Sequence, residues 1–125
     1  MSTTFILILA AAIPEVPASS VQLVQEGAVY VMRNLIDDTP LYTFNLDEPG
    51  KSNCDDTCAR DWRPLLVAGN EGPLGDWTQV ERADGSMQWA YQGMPVYSFA
   101  RDPEPVTTSD GKAGMWKRLP AFPSQ

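Results

Sequence analysis

The chain of 125 residues contains no histidine. That removes the commonest general base, the usual haem ligand and the imidazole ligand of most Zn and Cu(II) sites. It also rules out Ser-His-Asp and Cys-His arrangements within the chain. Cysteine occurs twice, at Cys54 and Cys58, so thiol chemistry is confined to one pair. Basic residues are scarce: nine Lys and Arg stand against sixteen Asp and Glu, a formal net charge of −7. Nucleic acid and anionic membrane surfaces both demand a basic face and are disfavoured as partners. A solvated acidic surface accounts for the charge, with attraction of cations or of a basic partner as the alternative. Long apolar runs are missing too. The longest, Phe5–Ile13, has nine residues, well short of the roughly 20 that a membrane-spanning helix needs.

What the chain does have is punctuation. Eleven Pro and nine Gly interrupt it so often that long helices have nowhere to sit. Its length suits a single domain, able to bury roughly two thirds of its unfolded surface. Two readings apply to an N-terminal segment placed at residues 1–20. The apolar run has the length of a signal-peptide core, with small residues at Val16-Pro17-Ala18 near a candidate cleavage point. Met1-Ser2-Thr3-Thr4 carries no Lys or Arg, however, and the alternative is a packed arm or strand. Any membrane contact would be through this segment.

From Val21 to the C-terminus, short runs rich in Val, Tyr, Phe, Trp and Thr alternate with turn residues, the pattern of one all-β domain over 21–125. Val21–Val24 and Ala28–Met32 flank a turn at Gln25-Glu26-Gly27. Leu41–Leu46 is a strand, followed by Glu48-Pro49-Gly50-Lys51, which sets Pro and Gly at the two centres of a type II turn. Thr78–Arg82 and Met87–Tyr91 form a hairpin, with Met87, Trp89 and Tyr91 on one face and Gln88 and Ala90 on the other. Val96–Ala100 is a further strand. Asp55–Trp62 offers at most two helical turns, and Thr107–Gly114 reads as loop.

The sequence also repeats itself. Pro40-Leu41-Tyr42-Thr43-Phe44-Asn45-Leu46-Asp47 returns 55 residues later as Pro95-Val96-Tyr97-Ser98-Phe99-Ala100-Arg101-Asp102. Trp62-Arg63-Pro64-Leu65 is echoed 54 residues on by Trp116-Lys117-Arg118-Leu119. Two matches in one order at nearly one offset indicate duplication, with copies at about 21–66 and 76–120. Tyr and Phe two residues apart share a strand face, so Tyr42 with Phe44, and Tyr97 with Phe99, are expected to be core. Asp47 and Asp102 fall at strand ends, where a carboxylate can accept hydrogen bonds from the following turn.

These residues resemble the exported bacterial secreted-repeat family, the predicted lipoproteins named for a Yx(FWY)xxD motif, which Tyr42–Asp47 and Tyr97–Asp102 both satisfy. Gly50-Lys51-Ser52-Asn53-Cys54, Cys58-Ala59, Ala83-Asp84-Gly85 and Gln88–Gly93 extend the likeness over roughly Val21 to Pro120. The resemblance implies a location outside the bacterial cytoplasm, periplasm or cell surface, and supplies no activity. Three departures stand out. No lipobox cysteine lies near the start, Arg63 replaces the family's Pro, and Lys117 replaces a frequent His, so an activity using that His is not carried over.

In an exported protein, cysteines as close as Cys54 and Cys58 normally pair. Regular helix geometry points i and i+4 side chains poorly for this, so an irregular turn is expected there. The sharper alternative is a copper-handling or thiol-redox accessory role for Cys54 and Cys58, with Met87 or Met94 adding thioethers. Asp55 and Asp56 disfavour thiolates, and no imidazole is present to complete a metal site. The acidic pairs Asp37-Asp38, Asp55-Asp56 and Asp102 with Glu104 give no catalytic pair of contrasting environments. Exposed Trp or Tyr residues in a row would form a platform for a sugar or a partner.

The expectation is a compact all-β sandwich or barrel-like domain of two related strand-turn halves. Functionally it is a non-catalytic binding or assembly domain without cofactor or metal. Its partner would be another protein or a cell-surface component, not nucleic acid.

Overall fold

The computed structural model describes residues 13–103 and 113–124. The apolar run up to Ala12, and most of the loop read at Thr107–Gly114, lie outside them. The described residues form nine strands: β1 (Val21–Glu26), β2 (Val29–Asn34), β3 (Leu41–Phe44), β4 (Trp62–Pro64), β5 (Trp77–Glu81), β6 (Met87–Tyr91), β7 (Met94–Phe99), β8 (Trp116–Arg118) and β9 (Phe122–Pro123). One short helix, α1 (Thr57–Asp61), falls inside the stretch expected to hold it.

The strands make two antiparallel sheets, as the all-β expectation required. The larger has the order β5-β6-β7-β3-β8, with β4 added to the other part of β7, and the smaller has the order β1-β2-β9. Punctuation predicted in the sequence does its work. Gly50 takes φ 76° as the third residue of the Glu48–Lys51 turn, a conformation open to glycine at no steric cost. Lys51 N–H closes that turn onto Glu48 O at 2.9 Å. Both hairpins form. The first is longer than expected, its strands running to Glu26 and Asn34.

Strand alternation divides the interior into two clusters. Leu41 on β3 and Val96 on β7 point to a cluster between the sheets, with Val21, Met32, Leu65, Trp77, Trp89 and Tyr91. Their neighbours Tyr42, Phe44, Tyr97 and Phe99 point to the opposite face, against Trp62, Trp116 and Cys54. Gln88 and Ala90, on the face opposite Trp89 and Tyr91, are both 0% exposed, while Met87 is open. A strand packed on both faces loses the in–out alternation from which faces are read.

The stretch just before β1 is packed rather than free. Glu15 O accepts from Trp77 Nε1 at 3.1 Å. Ser20 Oγ accepts from Trp89 Nε1 at 3.1 Å.

The two copies are joined by their register. β3 and β7 are antiparallel neighbours with Tyr42 opposite Tyr97, Leu41 opposite Ser98 and Thr43 opposite Val96. Exchanging the copies leaves that pattern unchanged, which is the signature of a local twofold axis between the two tyrosines. The outer strands obey it as well. Trp62, Arg63 and Pro64 of the first copy pair with Phe99, Ser98 and Tyr97 of the second. Trp116, Lys117 and Arg118 of the second pair with Phe44, Thr43 and Tyr42 of the first. Backbone bonds come in matching pairs too: Asn45 N–H to Met115 O and Ala100 N–H to Asp61 O, both 2.7 Å. Each copy therefore completes the other's sheet.

Candidate functional site

The four predicted motif aromatics are all buried, at 9%, 4%, 0% and 3% exposed for Tyr42, Phe44, Tyr97 and Phe99. They surround a pair of indoles on the twofold axis. Trp62 and Trp116, equivalent in the two copies, stack with ring centroids 3.7 Å apart and planes 5° from parallel. Phe44 covers the far side of Trp116 at 4.3 Å and Phe99 that of Trp62 at 4.7 Å. Tyr42 meets Trp62 edge-on at 5.1 Å, as Tyr97 meets Trp116 at 5.1 Å. Offset-stacked and edge-to-face contacts of this kind add to the burial energy of large rings. Both indole N–H groups, Trp62 Nε1 and Trp116 Nε1, are buried without a hydrogen-bond partner among the described residues.

The motif carboxylates have diverged. Asp47 is 7% exposed; its Oδ1 accepts from Asn53 N–H at 2.7 Å. Its Oδ2 accepts from the Tyr97 hydroxyl, also at 2.7 Å. The turn contact matches the expected capping role. The second does not, because Tyr97 belongs to the other copy. Asp102 is exposed, and the chain that would correspond to the Asn53 loop lies outside the described residues.

Asp47 opens a polar network that crosses the fold. The Tyr97 hydroxyl is 2.5 Å from Ser52 Oγ. With Tyr97 donating to Asp47, Ser52 donates to Tyr97 and is left to accept. It accepts from Arg82 Nη1 at 3.0 Å and from Cys54 N–H at 3.3 Å. Arg82 also donates to Gln88 Oε1 at 2.8 Å, to Cys54 O at 2.7 Å and to Asp55 Oδ1 at 3.3 Å. Gln88 Nε2 in turn donates to Val96 O at 2.8 Å. A buried guanidinium with partners on both terminal nitrogens is an arrangement in which burial of charge is tolerated.

Burial raises the Asp47 carboxyl above the ordinary aspartate range, and the bonds from Asn53 and Tyr97, together with Arg82, partly offset it. Burial likewise pushes the Tyr97 phenol well above the tyrosine range. Its bond to Ser52 opposes that rise and its contacts with Asp47 add to it.

Ser52, Arg82 and Gln88 were not recognised from sequence. A signal existed for Arg82. It lies two residues after Val80, hence on the same face as a core valine.

Cys54 and Cys58 form a disulfide with Cα atoms 5.2 Å apart. The irregular turn expected between them is present, because Asp56 adopts φ 51° and ψ −113°, a positive-φ backbone that breaks the helical path. Met87 and Met94, the thioether candidates, lie on β6 and at the start of β7, away from the Cys54 cluster.

The surface outside this closed core carries two clefts related by the same twofold axis. One, of about 310 Å³, is lined by Thr43, Lys117, Arg118 and Leu119 together with Tyr91 and Met94. The other, of about 250 Å³, is lined by Ser98, Arg63, Pro64 and Leu65 together with Ile36 and Asp37. The first four residues of each set are equivalent in the two copies. In each cleft a hydroxyl stands directly across the strands from a cation, Thr43 from Lys117 and Ser98 from Arg63.

The profile of a family described as a secreted repeat of unknown function matches residues 36–66 and 78–119, one segment in each copy. No curated protein and no solved structure matches the chain.

Proposed function

The chain belongs to this family of secreted repeats, and from that premise we propose that it is a non-catalytic recognition domain working outside the cytoplasm on another protein or a cell-surface component. The observation that carries the reading is a division of labour. The motif tyrosine, Asp47, Arg82 and the disulfide are spent on bonds inside the fold, whereas paired clefts lie open on its surface. Fixed backbone and locked core side chains favour recognition, because little order has to be gained on binding.

The alternative, copper handling or thiol redox at Cys54 and Cys58, first requires the disulfide to be opened, since no free cysteine is present in this structure.

Cosedimentation of the purified chain with cell-envelope fragments tests the proposal. Saturable binding is expected, unchanged when Cys54 and Cys58 are both replaced by Ser. Absence of binding, or tight uptake of one Cu(I) by the reduced protein with loss of envelope binding in the double replacement, would overturn it.

A further inference from the structure

The outer strands of a sheet are where unmet backbone bonds collect, and most of those in this fold are guarded. β8 has three residues, of which Lys117 and Arg118 are charged, and β4 has three with Arg63 and Pro64. β9 has two residues and ends on Pro123. β5 is tied to the chain before it, where Gln79 Nε2 donates to Glu71 O. Short length, charge, proline and cover are the usual devices against strand-on-strand association. β1 has none of them. It is six residues long, lies outermost in the order β1-β2-β9, and reads Gln22-Leu23-Val24-Gln25 through its middle. We propose that β1 is a self-association edge, at which two copies of the chain pair β1 against β1 antiparallel about a twofold axis at Val24. Their three-stranded sheets would then run on as one. This goes beyond the recognition reading and does not depend on it.

Three observations support the pairing. First, the free backbone groups lie in the middle of the strand. β1 and β2 pair with Glu26 opposite Val29, Val24 opposite Val31 and Gln22 opposite Arg33. The two-residue turn makes Glu26 and Val29 a hydrogen-bonded pair, so ladder alternation turns the N–H and C=O of Glu26, Val24 and Gln22 toward β2. Those of Leu23 and Gln25 turn outward, and among the described residues they have no partner. Val21, the next outward residue, already gives its N–H to Pro17 O at 2.9 Å, which closes the edge at that end.

Second, one register satisfies every free group. With Val24 on the axis, Leu23 of one copy stands opposite Gln25 of the other, and such a pair exchanges both its N–H···O=C bonds. Each outward donor and acceptor of Leu23 and Gln25 is used in both copies at once.

Third, that register opposes no like charges, which would be destabilising directly across strands. Val24 meets Val24, and Gln22 meets Glu26. Glu26 is the one charged residue of β1 and is already bonded to Arg33 at 2.5 Å. What opposes pairing is the net charge of −7 on each copy, a long-range repulsion that salt screens.

Sedimentation velocity on the full chain, at rising protein and salt concentrations, tests the proposal. Expected is a monomer–dimer equilibrium in which the dimer gains with salt, the reverse of an association held by ion pairs. Val24→Lys sets like charges on the axis, and Gln25→Pro removes only an outward N–H. Each should weaken dimerisation by about tenfold or more with the circular dichroism unchanged; Gln25→Pro answers if Val24→Lys does not fold. Thr78→Lys, at an exposed position of β5, should leave the dimer as it was. Crosslinking reads the register. Partners in a non-hydrogen-bonded pair have Cα atoms about 4.5 Å apart, within the disulfide range of roughly 4.4–6.8 Å, so Val24→Cys should give a covalent dimer on mild oxidation. Cys54 and Cys58, already paired, do not compete. Gln22→Cys would hold its two thiols about 13 Å apart at a rise of about 3.4 Å per residue and should not crosslink. A chain monomeric under all conditions, a dimer that dissociates as salt rises, undiminished dimerisation of Gln25→Pro, or equal crosslinking at both positions would overturn the proposal.

Discussion

Tyr42 and Tyr97 face each other across β3 and β7, yet the hydroxyl of Tyr97 bonds to Asp47 and Ser52 while the ring of Tyr42 supports Arg118 at 5.8 Å. Duplication supplied one backbone frame twice, and the two copies of one tyrosine now serve different ends. The first is a link between elements 50 residues apart. The second backs a surface cation.

The Tyr97 link gives a direct expectation. Tyr97→Phe keeps the ring and leaves Asp47 Oδ2 without its donor and the Ser52 O–H without its acceptor. The loss should be about 1–3 kcal/mol, the cost of stranding buried polar groups, read by urea unfolding. A change within error would mean that solvent reaches the network.

The aromatic stack gives an expectation about symmetry. Phe44 and Phe99 cover opposite sides of the Trp62–Trp116 pair, so Phe44→Ala and Phe99→Ala should each cost about 3–5 kcal/mol, as large-to-small core changes do. Their measured losses should agree within about 1 kcal/mol, given the spread at such sites. A large inequality would show that the twofold frame does not extend to packing.

Much of this architecture was readable in sequence because its causes are local. The turn at Glu48–Lys51, the hairpin joining β5 and β6, the side-by-side burial of Tyr42 with Phe44, and the equivalence of the copies all follow from short-range pattern. What was missed depends on distant partners. Nothing near Arg82 reveals that Ser52, Cys54 and Gln88 will surround it. Nothing near Asp47 reveals Tyr97. The burial of Gln88 was hidden for a related reason, since what holds it is Arg82 and the Val96 carbonyl. The clefts were illegible because each is assembled from strands of both copies.

A pH dependence follows from Asp47. Its carboxyl is raised by burial above the unfolded value near 3.8. Between those two values the folded state holds more protons than the unfolded state, so this group's contribution falls as pH rises through the window just above the ordinary aspartate range. Asp47→Asn cannot titrate there. Unfolding curves of both proteins from pH 3 to 7 should show the parent losing stability relative to the variant as pH rises through that window. The opposite slope would mean that Asp47 is held ionised by its donors despite burial.

The disulfide and the network hold the same loop, and that makes their energies dependent on each other. Cys54 carries both the crosslink and the carbonyl that accepts from Arg82; its neighbour Asn53 supplies the N–H bonded to Asp47. Closing so short a loop stabilises by roughly 2 kcal/mol in the chain-entropy model, so replacing both cysteines by Ser should lower stability by about that amount while the fold persists. The network then has to order a loop that the crosslink no longer restricts. Groups that share a mobile element are not additive, and couplings of about 0.5–3 kcal/mol are usual for such pairs. A double-mutant cycle between the Cys54/Cys58 replacement and Asp47→Asn should therefore show a coupling above about 0.5 kcal/mol, outside the error of additive sites. Additivity would assign the loop's order to the crosslink alone and reduce the Asp47–Asn53 bond to a bystander.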